Sequence, residues 1–342
     1  MKPPLPLPPF FDAEKTGRVW RVPYEERAAQ AREWGRLHGL VSSAAPPRRI
    51  WLLLIDVQNT FCIPEFELYV AGRSGRGAVD DNVRLCRFIY RNLGIITEIT
   101  ATLDTHLARQ IFHAVFFVDS NGDHPAPYTS IRSEELRSGR WKFNPALAGG
   151  MRITPEYGQA MVVHYAEQLE QRGKYALTVW PYHAMLGGIG HALVASIEEA
   201  VFFHSMARLS QPRFEIKGDQ PFTEHYSAIG PEVTHGPGGE LLGEHNPEFV
   251  EKLKQVDALI VAGQAKSHCV AWTVSDLLHD IRQTDASLAG KVYLLEDCTS
   301  PVVVPGADFT EQADEAFAGF KQAGMNVVRS TDDFTSGWAA HD

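Results

Sequence analysis

One short run, Ala258–Ala262 (A-L-I-V-A), is apolar at every position. A second, W-L-L-L-I, ends at Asp56. Runs this short and this apolar suit strands covered on both faces, which is the environment of a parallel sheet with helices on each side. The rest of the chain repeats the theme. Strands are expected at Ile50–Asp56, Ile95–Ala101, Ala176–Trp180, Phe214–Lys217, Ala258–Ala262, Val292–Glu296 and Asn326–Val328. Helical spacing falls between them, at 80–92, 157–171, 191–208, 269–283 and 309–323. Alternation of this kind predicts a three-layer α/β/α fold around a central, mostly parallel sheet of Rossmann-like type. In such sheets ligands bind beyond the C-terminal ends of the strands.

Those ends carry chemistry. After the run closing at Asp56 comes V-Q-N-T-F-C. T-A-T-L-D-T-H ends a strand with Asp104 and His106, L-T-V-W-P-Y-H ends one with Trp180 and His183, and F-E-I-K-G ends one with Lys217. The run Ala258–Ala262 breaks at Gly263, and a helical pattern starts near Cys269. A cysteine at a helix start sits among unpaired N–H groups and partial positive charge, which favour thiolate. Each residue also has a plainer role. Cys269 could be a small buried apolar side chain, Asp56 a helix cap, Lys217 a solvated charge and His183 a hydrogen-bonded structural histidine. Their arrival at one topological edge favours a site.

With these residues in place, the chain resembles the cysteine hydrolases of the isochorismatase-like superfamily, and among them the nicotinamidases. The resemblance rests on D56-V-Q-N-T-F-C, L-D104-T-H106, W180-P-Y-H183, I-K217-G with Y226-S-A, and G263-Q-A-K-S-H-C269-V, and covers roughly residues 48–300. It implies an Asp56–Lys217–Cys269 triad and a divalent metal site of Asp104, His106 and His183. It also implies a cis peptide at Gln264–Ala265, an oxyanion hole from the N–H groups of Ala265 and Cys269, and pocket walls from Phe61 and Trp180. The expected reaction is hydrolysis of a small amide, nicotinamide or a close analogue, through a thioester. Mixed N/O ligands suit zinc, iron or manganese. The expected partner is a small amide, in a homo-oligomeric cytoplasmic enzyme.

The chain departs from the nicotinamidase pattern in three places. The gap from His106 to Trp180 is long, Ala184 follows His183 where cysteine is common, and Lys266-Ser267 replaces a Thr-Asp pair. His113, His124 and His164 are further candidate ligands, each more simply read as a surface or loop histidine. A metal-free amidase acting on a carbamoyl, ureido or biuret-type amide is the nearest alternative. A non-catalytic binding protein is another. A Rossmann-type dehydrogenase has no support, because no G-x-G-x-x-G follows the first strand.

Composition sets outer bounds. The 342 residues are 44% hydrophobic and 22% charged, as in ordinary globular proteins. A net charge of −10 disfavours nucleic acid and anionic membranes as partners. The four scattered cysteines suggest neither a zinc-type pair nor a disulfide framework. Residues 1–47 read as an N-terminal arm, proline-rich at Met1–Phe11, followed by a helix at 21–39. Residues 48–335 read as one catalytic domain with an insertion at about 119–179, expected either to act as a lid over the sheet edge or to pack elsewhere as a surface excursion or subunit contact.

Overall fold

The computed structural model describes residues 4–44, 48–173, 175–304 and 306–333. Met1–Pro3 and Ala45–Pro47 of the expected N-terminal extension, Lys174 of the expected insertion, and Pro305 and residues 334–335 of the expected domain lie outside the described residues. Internal contacts divide the chain into two compact units. The first holds the described residues of 1–103, 192–215 and 247–342, and the second holds those of 104–191 and 216–246.

A six-stranded sheet organises the first unit. Its strands are β1 (Ile50–Ile55), β2 (Glu98–Asp104), β3 (Arg213–Lys217), β4 (Ala258–Gly263), β5 (Val292–Leu295) and β6 (Asn326–Val328). The order across the sheet is β6-β5-β4-β1-β2-β3. β1 pairs in parallel with β2 and β4, β4 with β5, and β5 with β6. β1 and β4 are buried at all six positions. Unbroken apolar runs have this consequence: with no polar face to expose, both strands must be central. Strands β2 and β3 end at the unit boundary, so Asp104 and Ile216–Lys217 belong to the second unit.

The helices are α1 (Tyr24–Leu37), α2 (Gly77–Arg91), α3 (Pro155–Gln171), α4 (Ala195–Arg208), α5 (Glu248–Gln255), α6 (Ala271–Thr284) and α7 (Thr310–Gln322). In the first unit α4 packs with α1 and α2, while α6 packs with α5 and α7. These two groups match the outer layers expected from the alternating pattern. The arm joins the first group: Leu5 N–H donates to Arg91 O at 2.9 Å, and the Phe10 and Phe11 rings lie 5.9 and 5.6 Å from that of Tyr90. No helix among the described residues is long and apolar enough to cross a membrane.

One expected strand is corrected. Residues 176–180 do not join the central sheet. Only Leu177–Thr178 are extended there, and they pair antiparallel with Ser130–Ile131 inside the second unit. Pro181 follows directly and has no N–H to extend a ladder. The second unit otherwise holds α3, two short helices (Ser133–Ser138 and Ala148–Met151), another two-residue ladder (Phe117–Val118 with Lys142–Phe143), 3-10 turns and loops.

Candidate active site

In the second unit, Asp104 is the last residue of β2, and the two residues after it are clamped from both sides. Thr105 N–H donates to Lys217 O at 2.8 Å. His106 N–H donates to Ala184 O at 2.9 Å, and Leu186 N–H donates to His106 O at 3.0 Å. The second pair of bonds draws the loop after Trp180 against the D-T-H segment and so delivers His183. A loop therefore does what the sequence assigned to a sheet strand.

Asp104, His106 and His183 are all buried, and their ligand atoms lie within 4.8 Å of one another. Asp104 Oδ2 is 2.8 Å from His106 Nε2 and 3.6 Å from His183 Nε2. Short as the first distance is, His106 Nε2 has no hydrogen-bond partner of acceptable geometry. Three ligand atoms gathered this closely in a buried setting are what a shared metal requires. The remaining nitrogens are committed elsewhere: His183 Nδ1 is 2.7 Å from Pro181 O and His106 Nδ1 is 3.3 Å from Gly218 O. A carbonyl can only accept, so each Nδ1 carries a proton, which leaves Nε2 as the atom that would face an ion. The residues fit a divalent ion.

Charge is arranged to match. Burial disfavours the Asp104 carboxylate, but His106 and Lys217 outweigh it and hold its pKa well below the usual range. Burial also works against a charged His106, yet Asp104 raises its pKa above the ordinary value. His183 is lowered, chiefly by burial. Gly218 is required here, since at its φ of +89° a Cβ would lie 2.9 Å from Asp104 Oδ1.

Lys217 is buried in the same unit. Its Nζ donates to Asp104 Oδ1 at 3.0 Å and to His225 O at 2.8 Å. His225 Nδ1 in turn accepts the Gly218 N–H at 3.0 Å. Trp180 is buried and donates its Nε1–H to Tyr226 Oη at 2.8 Å. Beside these residues, burial pushes the Glu224 carboxyl up to about 8. Glu224 and His225 escaped the sequence reading. The only available signal was a polar run, T-E-H-Y, soon after the strand end at Lys217.

Of the additional histidines, His113 is buried, its ring 6.1 Å from that of His106, and burial pushes its pKa down to about 3. It is not among the clustered ligands. His124 Nδ1 lies 2.6 Å from Phe117 O, and His164 Nε2 lies 3.0 Å from His235 O.

The first unit holds the remaining expected residues. Asp56 follows β1 with a φ of +48°, a region non-glycine residues seldom occupy. Thr102 fixes it: the Asp56 N–H donates to Thr102 Oγ1 at 3.1 Å, and that hydroxyl donates to Asp56 Oδ1 at 2.5 Å. On the adjacent strand Ile55 faces Gly263, and Gln264 N–H donates to Ile55 O at 2.7 Å. A Cβ on Gly263 would meet Ile55 O at 2.0 Å, so only glycine fits. The Gln264–Ala265 peptide is cis. A π-helical turn, Lys266–Val270, then carries Cys269 and runs straight into α6. Cys269 thus sits two residues ahead of the regular helix, and it is 7% exposed. Phe61 is buried in the single turn Asn59–Cys62. Burial raises the thiol pKa of Cys62, Cys86 and Cys298, which disfavours a thiolate at any of them.

No family model matches the sequence, and no curated protein matches it. Solved structures do. Yeast nicotinamidase superposes with a TM-score of 0.50 at 20% identity, covering 82% of this chain and 99% of that one. The fold is that of yeast nicotinamidase. Its complex with the inhibitor nicotinaldehyde gives a TM-score of 0.50 at 19% identity, with the same coverage. A nicotinamidase/pyrazinamidase from Acinetobacter baumanii gives 0.49 at 19% identity, over 84% of this chain and 99% of that one. The likeness supports the three-layer α/β/α fold expected from the alternating pattern.

Proposed function

We propose that this protein is a cysteine amidohydrolase acting on a small amide of the nicotinamide type. The observation that carries the reading is the buried Asp104–His106–His183 cluster, with its ligand atoms within 4.8 Å of one another, on the fold of an enzyme that binds nicotinaldehyde. Cys269 and Asp56 follow neighbouring strands of that same fold.

In this reading Asp56 takes the Cys269 thiol proton, and the sulfur attacks the amide carbon. The oxyanion that forms is held by the N–H groups of Ala265 and Cys269. Collapse breaks the C–N bond, and the proton on Asp56 leaves with ammonia. Water then cleaves the thioester, giving the acid and restoring the thiol. Lys217 keeps the Asp104 carboxylate charged. A divalent ion on Asp104, His106 and His183 would supply a Lewis acid for a ring nitrogen. The test is ammonia release from nicotinamide and related amides by the parent and by Cys269→Ala. Turnover in the parent and none in a folded variant is expected. Equal turnover in both would remove Cys269 as nucleophile.

A further inference from the structure

Two buried polar side chains in the first unit, far apart in sequence, meet behind the turn that carries Cys269. Asp81, on α2, is 1% exposed and Gln264 is 0% exposed. Gln264 Nε2 donates to Asp81 Oδ2 at 2.9 Å. The other amide atom is used too: Gln264 Oε1 accepts from Ser300 N–H at 3.3 Å. Ser300 O then accepts from Lys266 N–H at 2.8 Å, and Ser267 Oγ accepts from Val302 N–H at 3.0 Å. Residues 264–267 are therefore stitched to the 300–302 segment by side chain and backbone, while Gln264 N–H holds Ile55 O beside Asp56.

The α2 side of the contact is equally committed. Gly77, Asp81 and Arg84 share one helix face. A Cβ on Gly77 would lie 2.7 Å from Ser300 Oγ, so this face is pressed against the segment. Arg84 Nη2 donates to Asp81 Oδ1 at 2.8 Å, and Arg84 Nε donates to Asp297 O. A polar pair buried this fully adds little net stability, because both groups lose water on folding. An apolar pair would fill the same space. What the polar pair adds is direction, since a glutamine bonded at both amide atoms has one rotamer.

We propose that Asp81 is a positioning residue for the nucleophile turn and acts through Gln264. The proposal rests on Cys269 being the nucleophile. It predicts that loosening the pair costs turnover and leaves ground-state binding nearly intact, because the atoms that shift are those meeting the transition state.

The test is a double-mutant cycle with Asp81→Ala, Gln264→Met and the double variant, assayed by ammonia release. Each folded single variant should lose at least tenfold in kcat with KM changed less than twofold. The double variant should be no worse than the poorer single, because both act through one contact. Singles within twofold of the parent kcat, or losses that multiply in the double, would overturn the proposal. Hydrogen exchange of the 264–270 amides is a second readout that needs no activity. It should quicken at least tenfold in both singles relative to amides of 271–284, and unchanged exchange would overturn the proposal. If the parent releases no ammonia from any amide, the amidase reading fails and the exchange result alone decides the positioning role. Should Asp81→Ala not fold, Gln264→Met carries the test by the same readouts.

Discussion

Lys217 and Asp104 form a buried ion pair, Nζ to Oδ1 at 3.0 Å, with both side chains at most 5% exposed. The two carboxylate oxygens of Asp104 have separate tasks. Oδ1 receives the ammonium, and Oδ2 faces His106 and His183. A lone carboxylate at this depth would be costly, so Lys217 sustains the charge whenever no cation is bound. Removing the lysine should therefore matter most in chelator. Lys217→Met is expected to lose roughly 3 kcal/mol of stability in chelator and clearly less with zinc, because the ion replaces the lost charge. Thermal unfolding of parent and variant, with and without EDTA, measures this. Equal losses in both conditions would mean that no ion compensates Asp104.

The histidines make the complementary prediction. His183→Ala removes one of three ligand atoms and leaves the Asp104–Lys217 pair in place. Protein purified without chelator should contain about one divalent ion per chain in the parent and far less in the variant, by elemental analysis; loss of one such ligand typically costs at least tenfold in affinity. Lys217→Met should keep its ion. Equal metal content in His183→Ala and the parent would remove His183 from the site.

What the sequence made legible, and what it hid, divide along the range of the interactions. Ile50–Ile55 and Ala258–Gly263 were readable because burial on both faces leaves an apolar residue at every position. The Asp104/His106/His183 cluster was readable because its members stand next to apolar runs. The second strand was placed three residues early: Ile95 and Ile96 are apolar, yet their N–H groups close the end of α2 by bonding to Asn92 O. Residues 176–180 look like a sheet strand because L-T-V-W is apolar, and local pattern does not distinguish a central strand from a two-residue ladder. The Asp81–Gln264 bond left no local trace, and the His225 support of Lys217 left only the polar run T-E-H-Y. Each depends on which distant segment folds against which.

Stability should fall in mild acid, and His204 is one identifiable cause. It is buried on α4 with Nε2 2.9 Å from Ile96 O, and burial pushes its pKa down to about 4 from 6.5. Between these values the unfolded chain binds a proton that the folded chain refuses. Stability is therefore complete above pH 6.5 and declines as pH falls toward 4, by up to about 1.4 kcal/mol per pH unit for one such group. His268, pushed down by burial to about 3, acts in the same direction. Urea unfolding at intervals from pH 7.5 to 5 should show the decline. His204→Gln, whose amide can still donate to Ile96 O, should flatten it by close to one proton. An unchanged slope would assign the acid sensitivity to other groups.

The N-terminal helix is held by a second buried pair. Arg27 Nε lies 2.6 Å from Glu199 Oε1, with side chains 10% and 5% exposed, and the guanidinium sits 4.0 Å above the centre of the Phe10 ring. Arg27 thus joins α1, α4 and the proline-rich arm at one point. Burial raises the Glu199 pKa, and the Arg27 hydrogen bond pulls it back down. Arg27→Ala would strand that carboxyl in an apolar setting, and breaking such a pair costs roughly 3 kcal/mol or more. Replacing both partners, as in Arg27→Met with Glu199→Met, removes the desolvation cost along with the attraction and should return most of the loss. Urea midpoints of the single and double variants compare the two effects. A double variant as unstable as Arg27→Ala would show that the pair contributes through Phe10 packing and helix contacts, and not by compensating a buried charge.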